Sequence, residues 1–178
     1  MAKLLNVNQF TGYQKETTYL VLINPERIPH LVFLQNGRFY SLTYLGTDLN
    51  RDFLPYFKRL QKGKNKMIFI ALRHEASEQL TSDIFKRYKS AGDNQFTCFS
   101  PVKDILLPNS RAEMIFELIP DLYENQKIVS VSQIGLDESV DKQGDFELSE
   151  YNKEDIFSYI QALKTKHAKR KKSHAQSS

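Results

Sequence analysis

The order of apolar runs and helical periodicities along the 178 residues predicts an α+β fold, a small antiparallel sheet packed with helices. Three observations carry this. Asn36-Gly37 separates two apolar, aromatic runs, the strongest short-range hairpin signal. Residues 67–72, Met-Ile-Phe-Ile-Ala-Leu, are almost continuously apolar and read as a strand buried on both faces. Between such runs stand segments whose apolar residues recur at helical spacing, giving the order strand, hairpin, helix, strand, helix, cysteine-bearing helix, strand, helix.

Residues 19–23 form the first strand, ended by the turn signal Asn24-Pro25. Residues 30–34 and 39–44 are the arms of the hairpin. Residues 47–50, Thr-Asp-Leu-Asn, are suited to cap a helix with Phe53, Leu54, Phe57 and Leu60 on one face and Pro55 in its first turn. Residues 61–66 are a basic loop before the strand at 67–72. Ser77 or Glu78 opens a helix with Leu80, Ile84, Phe85 and Tyr88 on one side, and Gly92 ends it. Ser100-Pro101 starts a helix that Leu107-Pro108 closes. Residues 111–119 fit either a short helix or a strand, 128–134 alternate as a strand, and 137–145 are a polar loop. Residues 153–164 form a helix with Ile156, Ile160 and Leu163 as its buried stripe. One domain therefore spans 1–163, and 164–178 reads as a basic, low-complexity tail without regular structure.

Charge is unevenly spread. Lys164, Lys166, Lys169, Arg170, Lys171 and Lys172 stand in the tail with no acidic residue. Removing those six from the net charge of +4 leaves about −2 for the body, which argues against a nucleic-acid clamp built on the domain itself. The tail is left as a weak contact for nucleic acid or an anionic surface, or as a solubilising end. A single cysteine excludes an internal disulfide and a multi-cysteine zinc site and suits a reducing compartment. No apolar run approaches the roughly 20 residues of a membrane span, and the start lacks a signal-peptide pattern. The expectation is a cytoplasmic protein that is not transmembrane. Seven scattered glycines form no phosphate cradle, two dispersed body histidines form no metal set, and no cofactor is implied. His74 reads as a solvated loop residue.

The candidate chemistry centres on Cys98 and His30. Cys98 lies within one turn of a helix start, with Thr97, Cys98 or Ser100 as the cap. There the helix dipole favours a thiolate, and free N–H groups can hold an oxyanion. A cysteine between Phe96 and Phe99 is equally what a small buried hydrophobe looks like. If Asn36-Gly37 are the two loop residues, Gln35 pairs with Arg38 and Leu34 with Phe39. Continued, that register sets Val32 opposite Ser41 and His30 opposite Thr43, so that His30, Ser41 and Thr43 share a face. Either hydroxyl is then placed to orient the imidazole, the third role in nucleophile–base–orienter chemistry.

The order of a histidine strand, a return strand, a helix, a buried strand, a helix and a cysteine at a helix start resembles the circularly permuted papain-like hydrolases. These are relatives of the NlpC/P60 and lecithin-retinol acyltransferase groups. The matching pieces are Pro29-His30-Leu31-Val32-Phe33, Asn36-Gly37-Arg38-Phe39-Tyr40-Ser41-Leu42 and Phe96-Thr97-Cys98-Phe99, within the stretch from His30 to Leu107. The resemblance implies a permuted papain-like fold, with Cys98 as nucleophile, His30 as base and Ser41 or Thr43 as the polar third residue. The implied activity is a cysteine peptidase, amidase or acyl transferase acting on a peptide or lipid-like amide or ester. Val32 stands where the family often has glycine, the return strand lacks a second histidine, and Phe99 replaces the serine or glutamate usual after the cysteine. The alternative is a catalytically inactive binding module of the same fold.

Overall fold

The structure, a computed structural model, describes residues 1–176 of the chain. Its strands are β1 (Lys3–Leu4), β2 (Val7–Gln9), β3 (Thr18–Ile23), β4 (His30–Gln35), β5 (Arg38–Thr43), β6 (Gly46–Asp52), β7 (Met67–Leu72), β8 (Ile128–Ile134) and β9 (Phe146–Glu147). Its helices are α1 (Phe53–Lys62), α2 (Glu78–Phe85), α3 (Phe99–Leu106), α4 (Ile115–Glu124) and α5 (Lys153–Gln176). Seven strands make one mixed sheet in the order β2-β8-β7-β3-β4-β5-β6, and β1 pairs with β9 separately. Every neighbour in the large sheet is antiparallel except β2 on β8. The fold class is α+β.

Helices cover both faces of the sheet, which explains why β3 and β7 are buried at every position and apolar at all but Thr18. Leu20, Leu22, Leu31, Phe33, Ile68 and Ile70 face α2, α3 and α4, whose Phe85, Val102, Leu118 and Leu122 complete that core. Val21, Val32, Leu34, Phe39, Met67 and Phe69 face the other way, against Phe53 and Phe57 of α1. Burying each such side chain contributes on the order of 2 kcal/mol. A third, smaller cluster sits at one end of the sheet, where α5 lays Ile156 and Ile160 on Leu42, Ala91 and Met114.

The β4–β5 hairpin turns on Asn36 (φ 51°) and Gly37 (φ 71°), both left-handed as a two-residue primed turn requires. Gln35 pairs with Arg38, Leu34 with Phe39 and Phe33 with Tyr40, the expected register. The ladder stops there. Val32 and His30 pair with β3 through Val21 and Ile23 but have no partner on β5, so the expected Val32–Ser41 and His30–Thr43 pairs do not form. The segment that follows α2 occupies the split: the Ala91 N–H donates to the Thr43 carbonyl at 2.8 Å, and Cys98 lies beside Pro29.

Three further elements differ from the sequence expectation. Thr47 to Asn50 do not cap a helix but belong to β6; β5 takes β6 as its outer partner after a tight turn through Gly46 (φ 144°). Asp52 caps α1 instead, accepting from the Leu54 N–H at 3.4 Å. The undecided stretch at 111–119 enters α4 at Ile115, where the Glu117 carboxylate accepts from the Glu113 and Met114 N–H groups. The expected tail is helical, because α5 continues unbroken through Gln176; residues 177–178 lie outside the described residues. The ring of His167, on α5, meets Tyr44 edge-on at 6.2 Å.

Candidate functional site

Cys98 is delivered by a strained approach. Gly92 (φ 90°), Asn94 (φ 48°) and Gln95 (φ 64°) are all left-handed, and a single 3-10 turn over Asp93–Gln95 reverses the chain into α3. Of the three possible caps, Thr97 and Ser100 do the capping. The Phe99 N–H donates to Thr97 Oγ1 at 3.3 Å, and the Thr97 N–H donates to Ser100 Oγ at 3.0 Å. Cys98 makes no capping bond. Its Sγ donates to the Pro29 carbonyl at 3.9 Å, a weak sulfur bond. N–H groups of Leu31, Cys98 and Phe99 direct their hydrogens at the sulfur and favour a thiolate, but burial outweighs them and pushes the thiol up to about 11. The sulfur packs with the α3-side core.

His30 opens β4 and, by strand alternation, lies on the face of Val32 and Leu34, the α1 side. The residue keeps some surface, yet its ring is enclosed enough that burial takes the imidazole down to about 4, against an opposing pull from Asp48. It is therefore neutral at pH 7. Ser41, on the same face, donates its hydroxyl to Asp48 Oδ2 at 3.1 Å. Arg51 Nη1 holds the other oxygen of that carboxylate at 2.7 Å. Thr43 turns its hydroxyl to the Gly46 carbonyl at 3.1 Å. The polar group whose charge acts on His30 is thus Asp48, which the sequence reading assigned to a helix cap. A β5–β6 hairpin register, pairing Ser41 with Asp48, would have revealed it.

Cys98 and His30 approach one space from opposite sides of the split sheet end. A cavity of about 290 Å³ opens there beneath α5, with Ile28, Leu42, Tyr44, Ile160 and Leu163 on its walls and both Cys98 and His30 among its lining residues. Among the described residues, no hydrogen bond joins the thiol to the imidazole, and neither group moves the other's pKa. Tyr56, also at the cavity, is pushed up to about 12, by burial first and by Asp48 second. The phenol of Tyr151 is raised by burial and then by Cys98.

His74 is not a solvated loop residue. It is half-buried, edge-on to Phe33 at 5.3 Å, with Nε2 enclosed and without a partner. No group of three or more His, Cys, Asp or Glu suited to a metal ion occurs among the described residues. No helix among them is long and apolar enough to cross a membrane.

A comparison with protein-family models finds no match, and comparisons with curated proteins and with solved structures find no significant match.

Proposed function

We propose that the chain is a non-catalytic binding module, on a permuted papain-like plan, that takes a small and mainly apolar group such as a short acyl chain in the cavity under α5. The observation that carries this reading is the disposition of Cys98. Its proton is directed to the Pro29 carbonyl, its thiol is raised to about 11, and His30 is held neutral on the other face. A nucleophilic cysteine works as a thiolate or passes its proton to a base within reach. Here burial opposes the first, and no bond to His30 supplies the second. What the space offers is mainly apolar wall, from Ile28 and Pro29, from Leu42 and Tyr44, from Tyr56, from Ala91 and from Ile156, Ile160 and Leu163 of α5. At about 290 Å³ it lies at the small end of the 300–1,000 Å³ usual for ligand sites.

A cysteine hydrolase or acyl transferase is the second reading, favoured by one observation: the N–H groups of Cys98 and Phe99 aim at the sulfur, where an oxyanion hole would lie. It requires a rearrangement that brings His30 around the start of β4.

Titrating the full chain with decanoate and following thermal unfolding tests the module reading. A saturable rise in Tm is expected, abolished by Ala91→Leu, which fills the cavity from the wall that Ala91 provides. No rise, or a rise that survives Ala91→Leu, overturns it.

A further inference from the structure

The half of α5 that leaves the body carries a charge pattern the cavity does not use. From Lys164 to Gln176 the helix has no acidic residue and no Val, Leu, Ile, Phe, Tyr or Trp. At about 1.5 Å per residue this stretch is roughly 20 Å long. Lys164, Lys166, Lys169, Arg170, Lys171 and Lys172 are all exposed, and none of the six is ion-paired among the described residues.

Their positions around the helix decide what they fit. At about 100° per residue, with Lys164 at the origin, Lys172 stands near 80°, Lys169 near 140°, Lys166 near 200°, Arg170 near 240° and Lys171 near 340°. No arc wider than about 100° lacks a cation. A helix that lies on a bilayer has its cations on one side and large apolar residues on the other. This one has cations all round and nothing to insert. A ring of positive charge is matched by a site with negative walls on both sides. The major groove of B-form DNA is such a site: about 12 Å wide, it accepts a helix of 10–12 Å diameter between two phosphate backbones. A-form RNA closes its major groove to such an insertion. The body's charge of about −2 leaves the six cations as the source of attraction.

We propose that the projecting half of α5 binds double-stranded DNA by lying in the major groove, neutralising phosphates on both walls without reading sequence. Each phosphate neutralised adds about 0.9 to the slope of log affinity against log salt, so the six cations give a slope of up to about −5. None of them lines the cavity, so a chain that fails to take decanoate can still bind duplex, and the two outcomes are separable.

The test is fluorescence anisotropy of a labelled B-DNA duplex with the full chain, across about 50–200 mM salt. Affinity should fall by up to about 1,000-fold over that range. Two paired variants then probe the two sides: Lys169→Gln with Lys172→Gln, and Arg170→Gln with Lys171→Gln. Each pair should lower the slope by about 2, since each faces its own wall of the groove. The proposal is overturned if duplex does not bind at about 50 mM salt, if one pair leaves the slope unchanged, or if phosphatidylserine vesicles bind more tightly than duplex at equal salt.

Discussion

The two ends of β4 are built differently, and the difference locates the site. At the Gln35 end the strand is paired on both sides, and its buried polar groups are matched. Gln35 Nε2 donates to the Ala76 carbonyl at 2.7 Å, and Thr81 Oγ1 donates to Gln35 Oε1 at 2.7 Å. At the His30 end β5 has peeled away, the loop before α3 supplies Cys98, and a cavity remains. The closed end is all structure. The open end collects the one thiol, a neutral histidine and an unfilled space.

The largest expected effect contrasts packing at the two ends. Phe33→Ala, in the closed core, should cost about 3–5 kcal/mol, whereas Leu42→Ala, which merely enlarges an existing cavity, should cost nearer 2 kcal/mol. Urea unfolding measures both, and equal costs would remove the contrast. Next comes Gln35→Ala, which strips the Ala76 carbonyl and Thr81 of a buried partner and should cost about 1–3 kcal/mol with Leu34 packing unchanged.

A smaller effect separates the ends by pH. His30 titrates at about 4 folded against 6.5 unfolded, so below pH 6.5 the unfolded chain binds the extra proton. Stability contributed by the neutral imidazole is full above pH 6.5 and is lost as pH falls toward 4. With a discount for partial exposure this amounts to about 2 kcal/mol. His30→Asn should flatten that part of the stability–pH curve; an unchanged curve would show that the ring is not enclosed. Cys98 acts at the other extreme. With its folded pKa raised from 9.0 to about 11, stability should decline as pH rises through that interval; Cys98→Ala should make the decline shallower and leave the part that the buried phenols of Tyr56 and Tyr151 contribute.

What could be read from the chain alone was what its local residues determine. Asn36-Gly37 specify a primed turn wherever they occur between apolar arms, so the hairpin and its near register were legible. The apolar runs of β3 and β7 needed no tertiary information. Asp48 was illegible because Thr-Asp-Leu-Asn is cap chemistry in isolation, and only the edge of β5 recruits it into a strand. β1 and β2 are too short for periodicity to show. The helical tail was missed because its composition has no apolar stripe; it continues a helix that Ile156 and Ile160 anchor upstream. The separation of Cys98 from His30 depends on where β4 and β5 part company and on which layer α3 joins. Both are set by packing among distant segments, and no spacing within the chain encodes them.

The reactivity of Cys98 tests the central claim most directly. The rate of alkylation by iodoacetamide should climb with pH toward a midpoint of about 11, with no plateau at neutral pH, and should be the same in His30→Asn. A fast plateau below pH 8 that His30→Asn abolishes would contradict the account and restore Cys98 and His30 as a catalytic pair.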